Sequence, residues 1–274
     1  MTVCVSVKVN DCIVFAADSA LTMSRGGQVV NVYNNGDKIF NLHRKCPVAA
    51  MFCGMGNMDG RSISNLSKEL RAEMMTGDRF VNPEDYTIEA VVARAHEFFS
   101  LKYQPVAGDT SHNMEYYIAG YGPKASHGEV WRFRIIHGVI APPERLRSEG
   151  EHGVNWGGQI SPIARLLSGL DPLFVSELVN LGVQQPSAEK LRSALSAKFS
   201  TPLYDQAMPT NDVIRLAEFL VDVTKGYYSF AEGSDIVGGP TDVASVTRWE
   251  GFRWIKRKHY YPQNLNGSDH GHVC

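Results

Sequence analysis

The first eighteen residues constrain the fold more strongly than any other stretch of the chain. Within residues 2–9 a valine stands at every second position, from Val3 to Val9. This period of two predicts a β-strand with one buried face. Asn-Asp at residues 10–11 indicates a turn, and the apolar run 12–17 predicts a second, more fully buried strand that ends on Asp18. We therefore expect the chain to begin inside a sheet, without a leader segment.

The second residue of the chain is a candidate catalytic nucleophile. Thr2 is small enough for the initiator Met1 to be removed. Removal would leave a threonine with a free α-amino group, fixed at the start of a strand. A hydroxyl and an amine on one residue combine a nucleophile with its own base. Because chain termini are usually loose, a terminus that is held in a sheet points to a functional reason.

Length and charge limit the class of protein. The chain has 274 residues, which suffices for one large domain or two small ones. Its formal net charge is −2, with 27 basic and 29 acidic residues spread along the chain, so we expect neither nucleic acid nor a membrane as a partner. No apolar run reaches membrane-spanning length, and Lys8 and Asp11 interrupt the region where a signal peptide needs its apolar core. These features predict a soluble cytoplasmic protein.

The cysteines and histidines do not indicate a metal or cofactor site. The cysteines form no Cys-x-x-Cys pair, and we interpret them as small core residues in a reducing cytosol. The histidines that could be considered as ligands are scattered on predicted loops, a strand end or the tail: His112, His127, His259, His270 and His272. The sequence has no phosphate-binding loop, no Gly-x-Ser-x-Gly and no His-Glu-x-x-His motif. We therefore predict neither a metal nor a cofactor.

Strands and helices arrive in blocks along the chain. Apolar patterns predict further strands at about 29–33, 38–42, 48–53, 115–121, 130–136, 242–249 and 252–256. They predict helices at about 63–74, 82–99, 161–167, 172–181, 188–198 and 211–221. Asn-Asn-Gly-Asp at residues 34–37 indicates a hairpin between the first two of these strands, and Asn82-Pro83 indicates the start of the second helix.

The order of these blocks predicts the fold class. Helices that do not follow every strand argue against a doubly wound parallel sheet. Two antiparallel sheets covered by helices fit better, which is an α+β fold. We predict a single domain over residues 1–261 and a flexible tail over residues 262–274.

Three polar residues stand at the predicted ends of N-terminal strands, namely Thr2, Asp18 and Lys38. If the strands pair as predicted, these ends meet at one edge of the sheet. The α-amine of Thr2, with an ordinary pKa of about 8, would be a better base at neutral pH than an ordinary lysine. A buried Lys38 would lower the pKa of the Thr2 hydroxyl as a cation, and Asp18 would keep Lys38 charged and oriented.

Gly54 is a candidate donor to a developing oxyanion. The sequence Gly54-Met55-Gly56 follows a predicted buried strand and could offer a backbone N–H to negative charge. Each of these features alone has a commoner structural explanation. An aspartate at a strand end is usually a turn residue, a lysine after Asn-Gly-Asp usually faces solvent, and Gly-x-Gly is usually a turn. The order in which they occur together favours a catalytic site.

That ordered set resembles the proteasome β-subunit superfamily of N-terminal-nucleophile hydrolases. The resemblance rests on Met-Thr at residues 1–2, Phe-Ala-Ala-Asp-Ser at 15–19, Asp-Lys-Ile-Phe at 37–40, Phe-Cys-Gly at 52–54, Tyr-Ile-Ala-Gly-Tyr at 117–121 and Asp-Ile-Val-Gly-Gly at 235–239. The relatively long middle region and residues 238–240 are most similar to bacterial homologues, the Anbu and betaproteobacterial proteasome homologue groups.

The resemblance implies a four-layer αββα sandwich and a set of site residues. Thr2 would be the nucleophile, Lys38 and Asp18 would tune it, the Gly54 N–H would stabilise the oxyanion, and Asp235 would support the α-amine.

Two positions depart from the family pattern, because Gly238 and the pair Gly158-Gln159 stand where the family has serines that help to hydrogen-bond the amine. A specificity pocket near Leu21, Phe52 and Gly56 would favour apolar substrates.

The function implied is that of a threonine peptidase inside a self-compartmentalising homo-oligomeric ring. Its partners would be peptide or unfolded-protein substrates, other copies of the chain, and an ATPase or unfoldase. Two alternatives remain open at this stage. One is a non-peptidase amidohydrolase that uses the same Thr2 chemistry, because a fold alone does not choose the substrate. The other is a catalytically silent ring scaffold that retains Met1.

Overall fold

Two antiparallel sheets form the centre of the molecule. The computed structural model describes residues 2–25, 28–232 and 237–258. The first sheet contains, in spatial order, β13 (Gly153–Gly158), β1 (Val3–Lys8), β2 (Ile13–Ala17), β14 (Asp242–Thr247) and β15 (Gly251–Lys256). The second contains β11 (Val139–Ile140), β10 (Glu129–Ile136), β9 (Met114–Gly120), β6 (Val48–Gly54) and β5 (Ile39–Asn41), with β12 (Glu144–Arg147) also paired to β10.

Two short hairpins and the helices complete the described elements. The hairpins join β3 (Leu21–Arg25) to β4 (Gln28–Tyr33) and β7 (Asn57–Met58) to β8 (Arg61–Ser62). The helices are α1 (Ile63–Thr76), α2 (Ile88–Tyr103), α3 (Ser161–Ser168), α4 (Phe174–Asn180), α5 (Gln185–Phe199) and α6 (Thr210–Phe230), and a short 3-10 helix spans Gln104–Val106.

Three apolar clusters hold four layers together. One packs α1 and α2 against the outer face of the second sheet, and another fills the space between the two sheets. The third packs α3 and α6 against the outer face of the first sheet. The layers therefore follow the order helices, sheet, sheet, helices. The predicted αββα sandwich of the α+β class is confirmed.

Strand β1 lies at the centre of this packing and is buried on both faces. Val3, Val5 and Val7 pack against the helices that cover the first sheet, and each fully buried valine stabilises the fold by about 1.5–3 kcal/mol relative to exposure. The intervening residues face the second sheet, where Cys4 joins the apolar cluster and Lys8 is 1% exposed. The prediction of a single buried face was wrong, because the second sheet covers the face on which the polar residues stand.

The buried Lys8 is satisfied by backbone oxygens. Its ammonium donates to the carbonyl oxygens of Glu149 and Glu151 in the turn before β13. Burial lowers the pKa of Lys8 below its ordinary value, and the nearby Glu151 carboxylate opposes that shift. A lysine in an alternating strand thus need not mark the solvent side.

The hairpin predicted at residues 34–37 does not form. Strand β4 pairs with β3, whereas β5 pairs with β6 in the second sheet. The turn instead carries the chain from the β3–β4 hairpin to β5 in the second sheet, and a Cβ on Gly36 would lie 2.4 Å from the Leu21 side chain. The turn residues were identified correctly, but their local pattern does not specify which strands pair.

The other differences concern boundaries and short strands. Helix α2 begins at Ile88, capped by the Thr87 hydroxyl, which accepts from the Ala90 N–H at 3.1 Å. Asn82 instead organises the preceding turn by accepting from the Glu84 N–H at 3.2 Å. Strands β3, β7, β8, β11, β12 and β13 were not predicted, since they are short, largely polar or rich in glycine.

The described residues bear on the prediction about membrane segments but not on the predicted domain bounds. None of the helices in the described part of the chain combines the length and apolar character that crossing a membrane requires. The predicted tail at residues 262–274 lies outside the described residues, and the single domain over residues 1–261 stays a prediction.

Candidate active site

Asp18 is the centre of a buried polar cluster at the end of β2. Its Oδ1 accepts from the Val3 N–H at 3.0 Å, and its Oδ2 accepts from the N–H groups of Ala20 and Gly238, each at 3.1 Å. An ionised carboxylate has only acceptor sites, so it matches this set of donors. The contact to Val3 ties the carboxylate to the peptide group that follows Thr2.

Lys38 reaches the same carboxylate from the second sheet. Its Nζ lies 2.5 Å from Asp18 Oδ1, and only 1% of its side chain is exposed. Burial lowers the pKa of Lys38 below its ordinary value, while the charge and the hydrogen bond of Asp18 oppose that shift. The thiols of Cys4 and Cys53 are close enough to influence Lys38 as well.

This ion pair joins residues from two different sheets. Asp18 follows β2 in the first sheet, whereas Lys38 immediately precedes β5 in the second. The prediction that Thr2, Asp18 and Lys38 meet at one edge of one sheet was therefore wrong in its geometry. The residues instead approach one another across the space between the sheets.

Thr2 immediately precedes β1 and is held through its backbone. The residue is 3% exposed, and its carbonyl oxygen accepts from the Gln159 N–H at 2.8 Å. Its Oγ1 lies 3.5 Å from the Ala20 carbonyl oxygen, which is at the limit of hydrogen bonding. The hydroxyl is thus positioned by the strand rather than by a strong side-chain hydrogen bond.

Gly158 allows the close approach that holds Thr2. It pairs with Val3 across β13 and β1, and its backbone has a φ of +81°. A Cβ at this position would lie 1.9 Å from the Thr2 carbonyl oxygen, so a side chain there would displace Thr2. The side chain of Gln159 contacts helix α6, where its Oε1 accepts from the Tyr228 hydroxyl at 2.5 Å.

Gly238 also contacts the site through its backbone. Its N–H donates to Asp18, and its carbonyl oxygen accepts from the Ser19 N–H at 3.0 Å. The two positions where the family resemblance leads one to expect serine therefore remain connected to the site without a hydroxyl. The sequence identified these departures, but it could not show that main-chain groups make the contacts.

Gly54 shares an open cleft with Thr2. Its backbone has a φ of +96°, and a Cβ there would lie 2.3 Å from the Asn113 carbonyl oxygen. The same oxygen accepts from the Met55 N–H at 2.8 Å, which fixes the loop before β9 against the end of β6. Only glycine combines this backbone conformation with such a close neighbour.

The cleft has a volume of about 670 Å³ and is lined by both polar and apolar side chains. One wall is the β3–β4 hairpin and the other is formed by the loops after β6 and before β9. The described residues that line it are Thr2, Leu21, Thr22, Met23, Val29, Tyr33, Gly54, Met55, Gly56, Asn57, Ser111, His112 and Asn113. Among them there is no Asp, Glu, Lys or Arg.

His112 belongs to this cleft, although it was predicted only as a scattered loop residue. Its Nε2 lies 3.4 Å from the Asp109 carboxylate, and its ring packs against Tyr103 with the centroids 5.9 Å apart. No local pattern marks the loop at residues 109–113 as a cleft wall, because it acquires that role only when it packs against Gly54.

Of the two other predicted site residues, Asp235 stays untested and Phe52 was assigned wrongly. Asp235 lies outside the described residues, so its proposed contact with the α-amine stays a prediction. Phe52 does not line the cleft: it is 2% exposed and packs with α1 and α2, stacked on Phe40. The strand register explains this, since alternate residues of β6 face opposite sides of the sheet.

Comparison with solved structures assigns the fold. No protein-family model matches the sequence, and no curated protein is similar to it in sequence. Anbu (ancestral beta-subunit) from Yersinia bercovieri superposes with a TM-score of 0.54, over 94% of this chain and 88% of its own. The chain has the fold of Anbu.

The likeness to Anbu concerns the fold alone, because the two sequences are 12% identical. It confirms the sequence-based resemblance to proteasome β-subunit homologues at the level of architecture. The chemistry at Thr2 must be argued from this chain's own residues.

Proposed function

We propose that this protein is a threonine-type hydrolase that cleaves peptide bonds with Thr2 as its nucleophile. The observation that carries the proposal is the position of Thr2 in the 670 Å³ cleft, beside the buried Asp18–Lys38 pair. A buried ion pair costs desolvation free energy that packing alone does not require. Its presence next to a strand-initial threonine favours a catalytic role.

The proposed reaction begins with the free α-amine of Thr2, exposed by removal of Met1. The amine takes the hydroxyl proton as Oγ1 attacks the scissile carbonyl carbon, and a tetrahedral oxyanion forms. Collapse of this intermediate breaks the C–N bond, and the departing amine receives the proton. Water then attacks the carbonyl carbon of the threonyl ester, with the α-amine taking its proton, and a second tetrahedral intermediate forms. Its collapse breaks the ester C–O bond, returns the proton to Oγ1 and releases the carboxylic acid product.

Two groups would stabilise the charge that develops. The Gly54 N–H would donate to the oxyanion from the cleft wall. Lys38 would lower the pKa of the Thr2 hydroxyl through its positive charge, with Asp18 holding the ammonium in place.

The cleft favours neutral, mainly apolar substrate side chains. Leu21, Met23, Val29 and Met55 supply apolar surface, and the charged side-chain types are absent from the described lining. A charged substrate group would lose hydration without an Asp, Glu, Lys or Arg partner among the described lining residues. We therefore propose a preference for apolar residues at the cleavage site.

The proposed function is tested by comparing the N-terminus with turnover in the same samples. We expect the active protein to begin at Thr2, because a peptide bond to Met1 turns the amine into an amide that cannot accept the proton. A variant with an N-terminal extension should fold and yet lack activity. The measurements are intact mass and hydrolysis of fluorogenic peptides with apolar residues before the scissile bond.

The matched control carries the same extension at its C-terminus and should stay active. Full activity in protein whose N-terminus is entirely Met1 would exclude the α-amine as the base, and with it this mechanism. An inactive protein that retains Met1 when isolated from cells would instead support the role of a silent scaffold. Hydrolysis of small amides but not peptides would identify an amidohydrolase of another specificity.

We also propose that the protein assembles into a closed homo-oligomer. A protease site that opens into a cytosol would threaten other proteins unless it were enclosed. Large apolar side chains are exposed on the helices and in the loops between them, among them Leu173 at 62%, Leu181 at 81% and Phe230 at 93%. Apolar side chains of this size are available for burial in subunit contacts.

Sedimentation at micromolar concentration should show a ring-sized species rather than a monomer. In such an assembly an ATP-dependent unfoldase would be the class of partner that delivers unfolded protein substrates. A homogeneous monomer that hydrolyses peptides would contradict the ring while leaving the chemistry of Thr2 in place.

A further inference from the structure

A second buried lysine–aspartate pair contacts the segments that carry Asp18 and Lys38. Lys258, two residues after the end of β15, forms an ion pair with the Asp242 carboxylate. Their side chains are 7% and 2% exposed, respectively. The Lys258 backbone N–H also donates to Asp242 Oδ1 at 3.1 Å.

The Lys258 ammonium contacts the chain neighbours of both members of the first pair. It donates to the Ser19 hydroxyl at 2.8 Å, and it lies 3.8 Å from a carboxylate oxygen of Asp37. Ser19 directly follows Asp18, and Asp37 directly precedes Lys38. One ammonium therefore bridges the two segments that must approach each other to form the Asp18–Lys38 contact.

The surrounding hydrogen bonds give this bridge a fixed geometry. The Ser19 hydroxyl accepts from Lys258 and donates to the Pro240 carbonyl oxygen at 2.6 Å. Asp242 begins β14 and pairs with Ala17 at the end of β2, so its carboxylate stands beside the strand end that carries Asp18. The contacts thus connect β14, the end of β2 and the segment before β5.

We propose that Lys258 is a positioning residue for the proposed hydrolase. It holds residues 18–19 and residues 37–38 at the separation that places Lys38 on the Asp18 carboxylate. The inference rests on the proposed function, since it assigns a task within the same site. Lys258 itself does not touch the substrate in this mechanism.

A purely structural role for the pair makes a different prediction. If Lys258 only stabilised the fold, a variant measured well below its unfolding temperature would keep the wild-type kcat. A positioning role predicts that the folded variant has a lower kcat and a nearly unchanged KM, because Lys258 does not line the binding cleft. Displacements of about 1 Å in a catalytic arrangement cost roughly 10²-fold in rate.

The experiment compares Lys258→Met with the matched control Lys256→Met. Lys256 lies on the same segment, but its side chain is 55% exposed and pairs with Glu218 at the surface. We expect Lys258→Met to lower kcat by about 10- to 100-fold with KM changed less than about two-fold. The control should retain wild-type kcat and KM.

Two further variants keep the proposal testable if Lys258→Met does not fold. Ser19→Ala preserves the ion pair but removes its hydroxyl link to the segment of Asp18, and we expect kcat to fall by several-fold. Lys258→Arg retains the cation and should recover activity relative to the methionine variant. Thermal unfolding of each variant identifies the temperature range in which every sample is folded.

The outcomes separate this inference from the proposed function. If Thr2→Ala is inactive while Lys258→Met and Ser19→Ala keep the wild-type kcat, the positioning role is wrong and the threonine mechanism stands. If Thr2→Ala is as active as the wild type, the proposed function itself fails. A loss of kcat that the arginine variant does not recover at all would also count against a role for the cation.

Discussion

Replacing Thr2 with alanine should abolish peptide hydrolysis while leaving the protein folded. The substitution removes the proposed nucleophile, and loss of a nucleophile in comparable mechanisms lowers kcat by about 10⁴- to 10⁶-fold. Little packing is lost, because the hydroxyl makes only a weak 3.5 Å contact to Ala20. The hydrogen bonds from the Val3 N–H to the Asp18 carboxylate and from the Gln159 N–H to the Thr2 carbonyl oxygen remain available in the variant.

The matched variant Thr2→Ser separates chemistry from shape. Serine keeps both the hydroxyl and the α-amine, so it should retain measurable turnover, whereas Thr2→Val keeps the branched shape and should be inactive. Peptide turnover, intact mass and thermal unfolding would be measured on the same preparations. Undiminished cleavage by the alanine variant would refute the nucleophile assignment.

The second large effect is expected at Lys38. Lys38→Met should lower kcat/KM by about 10²- to 10⁴-fold, because the site loses the charge that we propose activates the Thr2 hydroxyl. The change should also destabilise the fold, since breaking a buried ion pair typically costs about 3–5 kcal/mol. Three backbone N–H groups still donate to Asp18 and reduce that cost.

The control for this experiment is Lys68→Met. Lys68 is 51% exposed and lies 3.8 Å from the Asp37 carboxylate, so it tests the effect of removing a nearby lysine charge outside the buried pair. We expect its activity to equal that of the wild type. Turnover would be measured at a temperature where both variants are fully folded. A fully active Lys38→Met enzyme would remove Lys38 from the mechanism.

The general fold could be predicted from the sequence because buried residues recur at a regular spacing along most strands and helices. The alternating valines of β1 and the stripe from Ile88 to Phe99 specified a strand and a helix without knowledge of the neighbours. The pairing of the strands could not be predicted as well from the sequence. The turn at residues 34–37 looks like a hairpin, yet the partner of β5 is β6, a choice that depends on packing between distant segments.

The candidate site was predictable where a residue's chemistry is unusual for its position. Thr2 after an initiator methionine and Asp18 at the end of an apolar strand could be identified in this way, and the structure brings Lys38 to Asp18. The cleft was less predictable, because Asn113 and His112 acquire their places only through contact with the end of β6. Phe52 was misassigned since its direction depends on the register of that strand.

The burial of β1 on both faces has a consequence for the protein's dynamics. Val5 and Val7 lie in a strand flanked by β13 and β2. Helices cover one face of this strand and the second sheet covers the other. Their amide protons should therefore exchange with deuterium only through global opening of the molecule. The proposed nucleophile would then share the slowest exchanging unit of the protein, so catalysis would be lost on heating together with cooperative unfolding, not before it.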